Sequence, residues 1–138
     1  MKKYINISFI YAIAAMICGI FYREFTKFNG FTQKTTLGIC HTHLFVLGTL
    51  SFLIIAIISV LSNLEEQKHF KYFMISYNIG LPFMTIMFLI RGIIQVLNIQ
   101  LSAGMNAAIA GIAGISHIMM GISFILLFLS LKQMTVHS

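Results

Sequence analysis

Thr36-Leu37-Gly38-Ile39-Cys40-His41-Thr42-His43-Leu44-Phe45-Val46-Leu47-Gly48-Thr49-Leu50-Ser51 opens an apolar run that continues without an acidic residue, lysine or arginine to Leu61. About 20 apolar residues suffice to cross a bilayer as helix, so this run is long enough to span one. It carries two histidines in its first half. An imidazole is costly to leave unpaired in hydrocarbon, and a histidine at membrane depth is therefore a functional candidate with a partner to be found.

Working outward, the rest of the chain has the same character. Of 138 residues, 59% are hydrophobic and only 9% charged, and the mean hydropathy is +0.94. These values exclude an ordinary soluble domain. Three further apolar segments can be read, so the expected fold is all-α and integral to the membrane. The expected helices cover about 4–25, 34–62, 71–98 and 103–132, joined by short loops into an up-down-up-down four-helix bundle forming one domain. In such a bundle the second and fourth helices are diagonal to each other.

The net charge of +6 sits at helix ends, where basic residues set topology and meet anionic lipid, so nucleic acid is not an expected partner. Lys2, Lys3, Lys68, Lys71 and Lys132 fall on one side, against Lys27 and Lys34 on the other. The positive-inside rule then places both termini in the cytoplasm of a multi-pass cell-membrane protein. The Lys2-Lys3 start with its apolar run resembles a signal peptide, but no convincing cleavage site follows, and an uncleaved first helix is expected.

The two cysteines, Cys18 and Cys40, lie in apolar segments without paired or metal-type spacing, which favours the role of small buried hydrophobes. Thr32 or Thr35 is positioned to cap the second helix. Pro82, the only proline, frees the carbonyl of Asn78 and should kink the third helix. His69 and His137 stand at helix ends, outside the apolar spans.

The fourth segment reads Gly104-Met105-Asn106-Ala107-Ala108-Ile109-Ala110-Gly111-Ile112-Ala113-Gly114-Ile115-Ser116-His117 and then Gly121. Gly114 is three residues before His117 and Gly121 four after it, so this histidine stands in a strip nearly free of side chains. Gly38 and Gly48 do the same for His41. Two diagonal helices each offering an imidazole on a flattened face suit a flat macrocycle with axial nitrogens from both sides, and haem b is the cofactor that fits. Arg23 and Arg91, the only arginines, are placed in the outer half to meet its propionates. Glycines recurring at such intervals also serve close helix packing, which is the plainer explanation for the glycines alone.

His41 and His43 cannot both face one iron, because residues two apart on a regular helix point about 200° from each other. His41 matches its glycine neighbours. His43 is nearer the expected depth of His117. The ligand pair is therefore His117 with His41, or with His43 as the alternative.

The run His41-Thr42-His43-Leu44-Phe45-Val46-Leu47-Gly48 resembles the second transmembrane helix of haem-copper oxidase subunit I, in particular its nitric oxide reductase and cbb3-type branches. In those families a His-Thr pair opens a similar run and its histidine is an axial ligand of the low-spin haem; carried over, that ligand is His41. The resemblance covers one helix of four and implies a one-haem module, without oxygen reduction or proton pumping. The whole chain is also similar to a family of small four-helix bacterial membrane proteins of unknown function.

The function expected from these residues is that of a membrane-embedded b-type haem protein in electron transfer or in redox or gas sensing. A quinol, a redox protein and a second copy of the chain are its candidate partners. The alternatives are a transition-metal or small-solute carrier using His41, His43 and His117, and a cofactor-free accessory or assembly subunit. No nucleophile–base pair, phosphate loop or carboxylate dyad supports hydrolytic or transferase chemistry.

Overall fold

The computed structural model describes residues 1–135; His137 lies outside them. Four helices, each long and apolar enough to span a membrane, account for nearly all of it: α1 (Lys2–Phe28), α2 (Leu37–Leu61), α3 (Lys68–Val96) and α4 (Ala103–Gln133). The elements follow the hydropathy of the chain closely. What hydropathy does not convey is how unevenly they pack.

Successive helices run antiparallel. Gly19 meets His41 and Gly48 meets Tyr11 across α1 and α2, Tyr77 reaches Leu47 across α2 and α3, and Ser76 meets Ser123 across α3 and α4. Tyr4, Tyr11, Ala15, Phe52, Phe73, Tyr77 and Leu81 build the core among α1, α2 and α3. Large apolar side chains cover the outside, among them Phe9, Ile20, Ile57 and Ile75, as a lipid-facing surface requires.

The fourth helix is held differently. It packs along α3, with no comparable packing against α1 or α2. Its buried positions are Ser116, Met120, Ser123 and Ser130, a stripe of small polar residues and one methionine. Ser123 Oγ donates to Ser76 Oγ at 2.7 Å, and Met120 Sδ lies over Gly80. Small residues and interhelical hydroxyl bonds are the usual means of helix association where lipid removes the hydrophobic drive. At its ends, Asn106 Oδ1 accepts from Arg91 Nη1 at 2.6 Å, and the backbone of Thr135 pairs with Asn63. His69, expected to be solvated, is half-buried, and its Nδ1 lies 3.1 Å from the Gln133 amide oxygen.

The irregularity of the bundle lies in α2. Its segment Leu44–Leu50 is a π-helix between regular α-helical stretches. Such a segment leaves backbone carbonyls without their usual helical donors, and neighbouring helices supply them. Tyr77 Oη donates to the Leu47 carbonyl at 2.7 Å, and Ser8 Oγ donates to the Thr49 carbonyl at 2.8 Å. By contrast α3 is continuous through Pro82.

The start of α2 is fixed largely from α3; of the two threonines expected to cap it, Thr35 accepts a backbone hydrogen bond there, from the Leu37 N–H to its Oγ1 at 3.4 Å. Thr36 is the N-cap, without a side-chain cap bond of its own. Gln95 Oε1 accepts from its backbone N–H at 2.9 Å, and its hydroxyl donates to the Phe88 carbonyl at 3.0 Å. Thr35 Oγ1 donates to the Gly92 carbonyl. The helix therefore begins at a level set by α3 residues a full two turns apart.

Candidate functional site: the His43–Phe88–His117 cleft

Up to His43 the second helix is regularly α-helical, so the rotation of about 100° per residue applies and its two histidines part company. His41 turns to α1, where its Cβ and Cγ lie 3.7 and 3.8 Å from the position a Gly19 Cβ would take. Its Nδ1 is buried without a hydrogen-bond partner. His43 turns toward α3 and rests edge-on against Phe88, with ring centroids 4.9 Å apart. From α4, His117 meets the same phenyl ring at 5.7 Å, also edge-on. Phe88 thus joins the imidazoles of two helices that do not pack on each other.

The two rings share a second feature. His43 Nδ1 lies 2.9 Å from the Ile39 carbonyl, and His117 Nδ1 lies 2.9 Å from the Ala113 carbonyl, each on the preceding turn of its own helix. A carbonyl oxygen only accepts, so Nδ1 carries the proton and Nε2 keeps its lone pair in both residues. This is the tautomer a metal-ligating histidine adopts, with the other ring nitrogen bonded to a backbone carbonyl. Among the described residues neither Nε2 has a hydrogen-bond partner.

Above Phe88 a cleft of about 180 Å³ runs between α2, α3 and α4, lined by Thr36, Phe88, Arg91, Ala110 and Ala113 among others. A second, of about 240 Å³, borders His43 with Thr42, Val46 and Leu47. At the end of the bundle remote from Lys2 and Lys132, Arg91, Gln95, Asn98 and Asn106 line a polar cleft of about 320 Å³. Gly114 and Gly121, flanking His117, have no atom within 4 Å of where a Cβ would stand. The wall of α4 beside His117 is therefore flat and open.

The other residues expected at the site lie elsewhere. The space beside Gly38 is occupied by Tyr22, whose Cζ would be 3.3 Å from a Cβ, and the space beside Gly48 by Tyr11, at 2.5 Å. Those glycines let α1 approach α2, leaving no slot for a ring beside His41. Arg23 is 82% exposed and pairs only with its neighbour Glu24, at 3.8 Å, among the described residues. Arg91 alone of the two arginines lines the cleft. A larger groove of about 500 Å³, formed by Phe21, Glu24, Phe25, Lys27 and Phe28, belongs to the outer end of α1 and includes no histidine.

Among the described residues, no group of three or more histidine, cysteine, aspartate or glutamate side chains is placed to hold a metal ion. The three-histidine metal site considered for a carrier is thus not assembled, since His41 faces away from the other two. Two ligands with two open axial directions are what a macrocyclic metal needs; a bare divalent ion takes more from the protein. A cleft of 180 Å³ is below the 300–1,000 Å³ of usual cofactor pockets. Any flat macrocycle held there would have to extend beyond this cleft, past the open face of α4.

The fold is a small all-α one with four helices long and apolar enough to span a membrane, and the site is a phenyl ring, Phe88, flanked edge-on by two imidazoles. The chain belongs to the family described as "Protein of unknown function (DUF2871)", whose model matches residues 1–134. No curated protein and no solved structure matches it. Nothing in these comparisons links the chain to haem-copper oxidase subunit I.

Proposed function

We propose that the protein is a membrane-embedded b-type haem protein in which Nε2 of His43 and Nε2 of His117 would hold the haem. The observation that carries this reading is the shared state of the two rings. Both touch Phe88, and both have Nδ1 engaged by a carbonyl of their own helix. A bound haem would supply one-electron redox chemistry, for electron transfer or for redox or gas sensing. The protein's own part is to hold two tautomers, to exclude water with Phe88, Met87 and Ile109, and to place Arg91 where carboxylates would emerge.

Orientation follows from charge. Lys2, Lys3, Lys68, Lys71 and Lys132 gather at one end of the antiparallel bundle, which we assign to the cytoplasmic side of the cell membrane. The cleft then opens in the outer half, where a quinol or a redox protein would reach it through lipid or from the outer surface.

Absorption spectroscopy of detergent-purified protein supplied with haem tests the assignment. A Soret band that shifts on reduction is expected, lost in His43→Ala and in His117→Ala and retained in His41→Ala and His69→Ala. A wild-type protein without such a band, or a band that depends on His41 and not on His43, would overturn it. The second reading, a cofactor-free subunit of a membrane complex, draws on the open glycine face of α4. It expects His43 and His117 to be replaceable without loss of that complex.

A further inference from the structure

The chain has three acidic residues, Glu24, Glu65 and Glu66, and none reaches Arg91. Among the described residues the ion pairs are Met1 with Glu65 and Arg23 with Glu24. Arg91 is nevertheless half-buried, about a turn and a half before the end of α3 at Val96. A guanidinium held at that depth without a carboxylate is costly, and its charge calls for an anion. Its partner in the chain is a neutral amide: Asn106 Oδ1 accepts from Nη1, and among the described residues its other N–H groups find no acceptor.

The two amides beside it are oriented by partners that can only donate. The guanidinium fixes Asn106 Oδ1, and the Thr36 backbone N–H fixes Gln95 Oε1. Each amide oxygen is thereby occupied, and each amide NH2 is left to donate elsewhere. Neither has an acceptor among the described residues. The cleft of about 320 Å³ that these three side chains line contains no acidic residue, and Ala103 brings to it the positive end of α4. At the opposite end of the bundle, the cleft between Lys3 and Lys71 includes Glu65, whose carboxylate opposes an anion.

One side of the Arg91 cleft is apolar. Ile94 borders it, and the exposed Ile90 and Ile86 continue from there along α3 in steps of four residues, on one helix face. Unused donors around a positive charge, above an aliphatic stripe, match a molecule with an anionic head and hydrocarbon tails.

We infer that the Arg91–Gln95–Asn106 cleft binds the phosphodiester of an anionic phospholipid, with its acyl chains along Ile94, Ile90 and Ile86. The guanidinium and the two amides donate to the phosphate oxygens. A zwitterionic phospholipid offers the same phosphate but brings its own cation, which the positive cleft repels. Inorganic phosphate shares the anion chemistry and lacks the tails.

The experiment uses haem-free protein in dodecyl maltoside, so that it does not depend on the cofactor proposed above. Dioleoylphosphatidylglycerol, dioleoylphosphatidylcholine or inorganic phosphate is added; bound lipid is counted by native mass spectrometry, and thermal unfolding is followed in parallel. One phosphatidylglycerol per chain should be retained and should raise the unfolding temperature, with phosphatidylcholine held more weakly and phosphate alone without effect. Arg91→Gln should weaken retention by about tenfold or more, the factor that losing one charge-assisted hydrogen bond brings. Asn106→Asp sets a carboxylate against Arg91 with no change of side-chain shape and should do the same, which tests the site even where Arg91→Gln fails to fold. Arg23→Gln, removing an equal charge from the same end of the bundle, should leave retention unchanged. Equal retention of the two lipids, protection by inorganic phosphate with no gain from the lipid, or a loss in Arg23→Gln as large as in Arg91→Gln would overturn the inference.

Discussion

Glycines do opposite things in the two halves of this molecule. On the α1–α2 side, Gly48 holds the space that a Cβ would contest with Tyr11 Cβ and Cγ at 2.5 Å; on α3, Gly92 does the same for Leu37, including its backbone nitrogen at 2.7 Å. On α4, Gly104, Gly111, Gly114 and Gly121 meet nothing within 4 Å. The first set lets helices touch. The second leaves a smooth, unfilled face beside His117. Gly38 and Gly114 each stand three residues before a histidine, and their difference arises from which helix has a neighbour on that side.

The comparison can be broken by adding single methyl groups. Gly48→Ala and Gly92→Ala should each destabilise the bundle by about 1–3 kcal/mol, since the opposing atoms are the rigid root of a tyrosine and a helix backbone. Thermal unfolding in detergent measures this. Tyr77→Phe should cost about 0.5–1.5 kcal/mol by the same measurement, because it removes the hydroxyl donor of the part-buried Leu47 carbonyl in the π segment. Ser123→Ala, which removes only the hydroxyl link to Ser76, should cost about 0.6 kcal/mol, in keeping with interhelical hydrogen bonds in membranes.

Gly114→Ala and Gly121→Ala sit at the other extreme. Each should leave stability unchanged or raise it by up to about 1 kcal/mol, the helix-propensity gain of alanine over glycine. A loss as large as that of Gly48→Ala would show that the α4 face is covered in the native membrane. A bulkier change, Gly114→Leu, sharpens the contrast: stability should hold while haem retention, followed by the Soret absorbance, falls.

The four helices were legible because span length and hydropathy determine them almost alone: the expected 71–98 and 103–132 differ from the observed Lys68–Val96 and Ala103–Gln133 by no more than a frayed turn. The divergence of His41 and His43 was legible as well, from the rotation per residue. The choice between their neighbours was not. Counting residues inward from each helix end puts His43 and His117 at different depths. Yet both reach Phe88, because Arg91 is already level with Asn106 on the first turn of α4. Helix ends in this bundle are not flush, and no local signal in the chain encodes that offset.

The π segment at Leu44–Leu50 was equally unreadable, since its apolar sequence is as compatible with α-helix as with π-helix. What marks it are hydroxyls donated from elsewhere, by Ser8 and Tyr77.

The attachment of α4 by three serines and a methionine carries an implication for how the protein is made. The first three helices in order of synthesis share the large aromatic and aliphatic core, so they can assemble in the membrane before the fourth arrives. A haem reaching that platform during biogenesis would find His43 and Phe88 exposed from the side. Docking of α4 would then bring His117 in last, so that on the haem reading proposed above the final helix would act as the latch of assembly.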